Sequence, residues 1–365
     1  MANPSSKLTG LLTGHVRAEG LSLIDWDLIV RQARVTKLNA ALWFSLEESG
    51  QLGDVPDLAK NHLMSGAKQA DRIKIAARYE LSLIDKVVKD FDAPVIVLKG
   101  AAYLQRQFNF SRGRVFSDID ILVPEERIGE VEKLFLEKGW KTGKQDPYDQ
   151  EYYRKWMHEL PPMVNPKTAN YLDLHHSILP KTSTIKVNPR KLILNSHKLD
   201  GFENLYTFSS EDIVLHSATH LFHEGEFENG LRDLYDIYSL ITEFNESQED
   251  FWRRLIKRAE ELQLVMPLSY SLGYCNKFLK LELPTETLDW LKSRKAAHRF
   301  VMDQLFHRAL EPDHISCDDW LTPSARWLLY VRSHYLRMPL YLLIPHLVRK
   351  AYKKRFDESF RSDAN

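Results

Sequence analysis

The spacing of apolar residues changes period twice along the chain, and each change marks a boundary. From Leu21 to about Asp90, apolar residues recur at three- and four-residue steps, through "LIDWDLIVRQARVTKLNAALWFSLEES" and "QADRIKIAARYELSLIDKVVKDF". That period predicts amphipathic helices, broken by the Gly/Pro-containing stretch around Gly53 to Pro56. At "PVIVLKG", Pro94 to Gly100, a short β-branched run closed by glycine predicts a strand. "AAYLQRQF" then reads as a helix, "RVFSDIDILVP" as a second strand, and "EERIGEVEKLFLEKGW" as a helix with an acidic first turn. "YLDLHHSIL", Tyr171 to Leu179, is a third strand. Helical spacing returns at Ser209, where "SSEDIVLHSATHLFHEG" opens on a serine cap and acidic residues, and persists through Leu310. The predicted fold is α+β. A mixed-sheet core over 91–200 lies between an N-terminal helical region, 1–90, and a C-terminal one, 201–310, followed by an amphipathic basic tail, 311–365.

Composition narrows this picture. The 365 residues are 44% hydrophobic and 27% charged, which fits a soluble globular chain. Fifty basic and fifty acidic side chains leave a formal net charge of +0, so a dedicated binder of long nucleic acid is not expected. The two cysteines, Cys275 and Cys317, have no metal-ligand spacing and suit a reducing cytoplasm. The opening "MANPSSKLTGLLTGH" lacks a signal-peptide core, and no run reaches the 18 or so apolar residues of a spanning helix.

The chemistry lies in the second strand. Asp118 and Asp120 are surrounded by isoleucine, leucine and valine, where an ionised carboxylate needs a compensating positive charge. Strand alternation puts both on one face, roughly 6–7 Å apart at Cα. Such a pair can hold one divalent ion, or two about 3.5–4 Å apart. Asp173, in the alternating "YLDLH", is a third candidate carboxylate. The expected cation is Mg²⁺, or Mn²⁺ in its place, and without it the carboxylates should repel one another. In "VLKGAAY", Lys99 and Gly100 stand between a strand and a helix start, a place suited to phosphate, with Lys99 as a point charge. The alternative for Gly100 is an ordinary strand-to-helix turn.

"LKGAAYL", then "R…SDIDILV", then "YLDLH" resembles the nucleotidyltransferase superfamily with the DNA polymerase β-like core. More closely, the chain resembles the bacterial uncharacterised nucleotidyltransferase family, which shares the Lys-Gly turn, an arginine four residues before the first aspartate and a helical C-terminal half. The resemblance covers about residues 90–180 well and the following helices loosely. It implies a nucleotidyltransferase-type mixed sheet, with Asp118, Asp120 and Asp173 as the catalytic and metal-binding carboxylates. Lys99, Gly100, Arg114 and Arg112 are implied on the nucleotide phosphates. Ala101 departs from the pattern, standing where the superfamily usually has a phosphate-binding serine. The implied reaction transfers a nucleoside monophosphate from an NTP to an undetermined hydroxyl- or phosphate-bearing acceptor. Two alternatives are a nucleotide- or phosphate-binding regulator without transfer activity, and a toxin-like transferase acting on tRNA or protein.

Histidines complete the candidates. His175 shares the strand face of Asp173, and His158 precedes the third strand in "WMHELPPM", so both can line the site. His176 points the other way. His216, His220 and His223 fall on one helical face without an accompanying H-E-x-x-H pattern, and are read as lining cleft or core. Arg232, Asp233 and Asp236 are read as a network holding their helix to the core. The tail from Trp327 to Phe356 combines apolar residues with Arg332, Arg337, Arg349, Lys350, Lys353, Lys354 and Arg355. We read it as packing on the helical half, with peripheral membrane contact as the alternative.

Overall fold

In the computed structural model, residues 4–143, 147–294, 299–339 and 341–344 are described. The α+β expectation holds, and among the described residues one mixed sheet of seven strands organises the fold. The strands are β1 (Val95–Val97), β2 (Asp118–Leu122), β3 (Lys141–Thr142), β4 (Met163–Val164), β5 (Tyr171–His175), β6 (His197–Lys198) and β7 (Leu205–Thr207). Their order across the sheet is β3-β4-β5-β2-β1-β7-β6. β2 runs parallel to β5 and antiparallel to β1, while β1 runs parallel to β7. The sheet therefore takes its seventh strand from beyond residue 200.

β1 is buried at every position, as are the last four residues of β2, which explains their unbroken apolar character. Asp120 is the exception inside that run. The 32-residue helix Asp57–Val88 buries a stripe of Leu63, Ala67, Ala70, Ala77, Leu81, Ile84 and Val88. Those positions recur at helical steps, and the alanines let neighbouring chain approach closely. Helix Leu23–Val35 begins on a capping box between Ser22 and Asp25. Helix Asn39–Glu48 packs on the long helix.

The C-terminal half is helical, with Ser210–His223, Gly230–Ser247, Phe251–Glu261 and Val265–Leu279 sharing one hydrophobic core with the sheet and the N-terminal helices. Helix Thr322–Arg337 turns two of its basic residues inward. Arg332 donates to the Phe222 carbonyl at 2.9 Å and lies over the Phe306 ring, and Arg337 donates to the His223 carbonyl at 3.3 Å. Both guanidiniums thus engage the helical half. Arg349, Lys350, Lys353, Lys354 and Arg355 lie outside the described residues. Among the described residues, no helix is long and apolar enough to cross a membrane.

Candidate functional site

Register decides which carboxylates meet. In the parallel β2–β5 pair, Asp120 stands opposite Asp173 and Leu122 opposite His175. Asp118, Asp120, Asp173 and His175 therefore share one face of two adjacent strands, about 4.8 Å apart. The Leu98 amide donates to the Asp120 carbonyl at 2.9 Å, which brings the end of β1 alongside Asp120 and delivers Lys99 to it.

The positive partner of Asp120 is built from protein. Lys99 Nζ lies 2.9 Å from Asp120 Oδ1, and His175 Nε2 lies 3.0 Å from the same oxygen. Burial alone would raise the pKa of Asp120, but Lys99 and His175 outweigh it and hold the carboxyl far below its ordinary range. Burial pulls the pKa of Lys99 down, but the charges of Asp120 and Glu224 outweigh it and hold the ammonium above its ordinary value. Burial also opposes the rise at His175, which the Asp120 hydrogen bond and Glu159 carry upward.

Asp173 lacks this compensation. Its Oδ1 is buried and takes no hydrogen bond. Burial first, then the charges of Asp120 and Glu159, push its pKa up to about 7 from 3.8. A carboxyl with a raised folded-state pKa binds its proton more tightly when folded, so its stability contribution is full below pH 3.8 and lost as pH rises through about 7. We expect Asp173→Asn to be more stable than the parent above pH 7 without divalent cation, and level with it in acid. Thermal melts across that window measure it, and parallel curves would show Asp173 to be solvated.

Lys99 has φ +49°, a left-handed conformation that costs a non-glycine residue energy and recurs at functional sites. Gly100 follows it into the helix Lys99–Gln105. A Cβ on Gly100 would sit 2.8 Å from the Phe116 ring, so the glycine is there for close packing.

Lys99, Gly100, Asp118 and Asp120 line a cavity of about 570 Å³. Arg114, Arg232, Asp233, Asp236 and His220 line it too, and Arg34 and Lys37 reach it from the N-terminal helices. Arg114 is engaged: it pairs with Asp236 and lies 3.5 Å from Asp233. Arg232 pairs with Asp233 at 2.8 Å, so the network read from the sequence extends to Arg114. Arg112 is elsewhere. Its guanidinium pairs with Glu47 and Glu48 and covers the Phe44 ring, on helix Asn39–Glu48, so the structure does not bring it to the phosphate position expected for it.

His158 and His175 do come together, with ring centroids 5.3 Å apart. Glu159 joins them, its Oε2 3.5 Å from His175 Nδ1. Among the described residues, the three side chains whose candidate donor atoms come within 4.8 Å of one another are His158, Glu159 and His175, not the aspartate trio. Sequence reasoning missed Glu159, Arg34 and Lys37, since nothing in their local pattern signals a site.

The family described as uncharacterised nucleotidyltransferase matches residues 22–280, a span that takes in the whole sheet and the helices over the cavity. The chain belongs to that family. No curated protein and no solved structure matches it.

Proposed function

We propose that the protein transfers a nucleoside monophosphate from an NTP to a hydroxyl- or phosphate-bearing acceptor, as a member of the DNA polymerase β-like superfamily. The observation that carries this reading is Asp120 set beside Asp173 across parallel strands, with Asp118 and Asp120 lining the 570 Å³ cavity next to Lys99. That volume falls within the range of about 300–1,000 Å³ typical of small-molecule sites, which supports a nucleotide with a compact acceptor or the end of a larger one.

Asp118, Asp120 and Asp173 fit a divalent ion, Mg²⁺ or Mn²⁺, as their ligand set: all are oxygen donors, and the buried Asp173 Oδ1 has no partner. When bound, the ion would neutralise charge on the triphosphate. Lys99 can turn from Asp120 to the phosphates, and its raised pKa keeps it cationic for that contact. Asp173 either completes the carboxylate set or, with its pKa near neutrality, takes the proton from the acceptor hydroxyl. The test is pyrophosphate release with Mg²⁺ and each NTP across a panel of acceptors. Release matched by a labelled adduct is expected.

A second reading has one observation in its favour. Lys99 already neutralises Asp120, and Ala101 replaces the usual serine, as suits a nucleotide-binding regulator without transfer chemistry. Tight NTP binding without pyrophosphate from any acceptor would select it.

Lys99→Met should weaken NTP binding about 10- to 100-fold, the loss of one charged hydrogen bond of about 1.5–3 kcal/mol. Lys99→Arg should recover only part, because a guanidinium is wider than an ammonium. Calorimetry at fixed Mg²⁺ measures both, and unchanged affinity would leave Lys99 as the counterion of Asp120 only.

A further inference from the structure

A second group of ligand-type side chains abuts the aspartates. We propose that His158, Glu159 and His175 form a site for a divalent transition ion of the zinc class, distinct from the aspartate site and coupled to it through His175.

Backbone pairing organises the three residues. Residues 158–160 run antiparallel to the end of β5. Glu159 bridges to His175, the His176 amide donates to the His158 carbonyl at 2.8 Å, and the Leu160 amide donates to the Leu174 carbonyl at 2.8 Å. Donors held on paired backbone lose little freedom when an ion binds.

The distances suit such an ion. His175 Nδ1 and Glu159 Oε2 are 3.5 Å apart. A tetrahedral centre with bonds of about 2.0–2.2 Å has edges of about 3.3–3.6 Å, so this pair already has the required separation. One ring nitrogen from each histidine and one glutamate oxygen lie within 4.8 Å of one another, so small side-chain rotations bring the third donor in. His158 Nδ1 is buried and has no hydrogen-bond partner, as a vacant ligand would.

Donor chemistry sets the class of ion. Two imidazoles and one carboxylate are the ligands of zinc and its first-row neighbours, whereas Mg²⁺ prefers oxygen alone. A void of about 20 Å³ adjoins His158 and His175, walled also by His216, His220, His223 and Glu224. Its walls mix these polar side chains with Ile178, Leu179 and Pro180, and it is large enough for one water, which can complete the coordination.

Ion binding at His175 Nδ1 displaces the proton there and leaves Nε2–H donating to Asp120, 3.0 Å away. A metal-bound imidazole that donates its other N–H to a carboxylate has fixed tautomer and orientation. The second ion thus positions Asp120 without touching substrate.

The test needs no transfer activity. Chelator-stripped full-length protein is titrated with Co²⁺, whose visible absorption reports nitrogen ligation, and then with Zn²⁺. We expect one Co²⁺ per chain, displaced by equimolar Zn²⁺ but not by millimolar Mg²⁺. Glu159→Gln, which keeps the side chain's shape, and His158→Ala should each weaken binding at least tenfold, while Asp118→Asn should not. Absence of the Co²⁺ band would overturn the proposal. So would binding retained in both variants, or lost in Asp118→Asn with displacement by Mg²⁺, since the ion would then sit on the aspartates. Histidine NMR in saturating Zn²⁺ gives a separate readout. If His175 keeps both ring protons, it is an imidazolium bridging Glu159 and Asp120, and the site is wrong.

Discussion

Asp120→Asn is expected to melt at lower temperature than the parent and to show no transfer. Read from sequence alone, two crowded carboxylates repel, and neutralising either should stabilise the metal-free protein. The ion pairs reverse that sign at Asp120. Its carboxylate is 3% exposed and accepts from both Lys99 and His175, so the neutral amide takes from both groups the charge they are paired with. Breaking a buried pair by removing one partner costs about 3–5 kcal/mol, and an asparagine oxygen that still accepts one hydrogen bond places the effect at about 3. Asp118 is half-buried, and its replacement by asparagine should leave the melting temperature near the parent's. Denaturant melts of both variants without divalent cation make the comparison. Equal stability of the two would mean that Lys99 and His175 are not held by Asp120.

The value of Asp120 thus lies in two contacts that no local pattern announces. The long helices and the three central strands were legible because each repeats its period over enough residues to register. β3, β4 and β6 have two residues each, too few to carry any period, and are defined only by the strands they pair with. At the Lys-Gly turn the sequence does not say which residue takes the unusual backbone. Lys99 takes it, and Gly100 is small because Phe116 leaves no room. The shared face of Asp118, Asp120 and Asp173 followed from strand alternation, but Asp120 opposite Asp173 is a matter of register between strands some fifty residues apart. Glu159 lay in "HELPP", which has no period, and reaches His175 only through an isolated bridge.

Arg114 shows the same dependence on distant partners, and its replacement has the other large expected effect. It stands four residues before Asp118, as the family resemblance requires, and so reads as a phosphate contact. In the fold its side chain is 9% exposed and tied to Asp236, 122 positions away, on helix Gly230–Ser247. Arg114→Met would strand two carboxylates, Asp236 and Asp233, with Arg232 as the remaining neighbour. A loss of about 3–5 kcal/mol is expected near neutral pH. Burial pushes Asp236 up to about 6 even against the pull of Arg114, so in the variant it should take up a proton more readily still. The penalty should therefore shrink as pH falls toward 6 and level off below it, a trend visible in melts across pH. Arg114→Met/Asp236→Leu removes the charge and its partner together and should recover most of the stability, as apolar replacement of a buried ion pair commonly does. Nucleotide affinity of that double variant separates the two roles. Parental affinity would make Arg114 a clip joining the approach to β2 to the helical half. Affinity still reduced about tenfold or more, in a protein restored to parental stability, would assign the guanidinium to the phosphates as well.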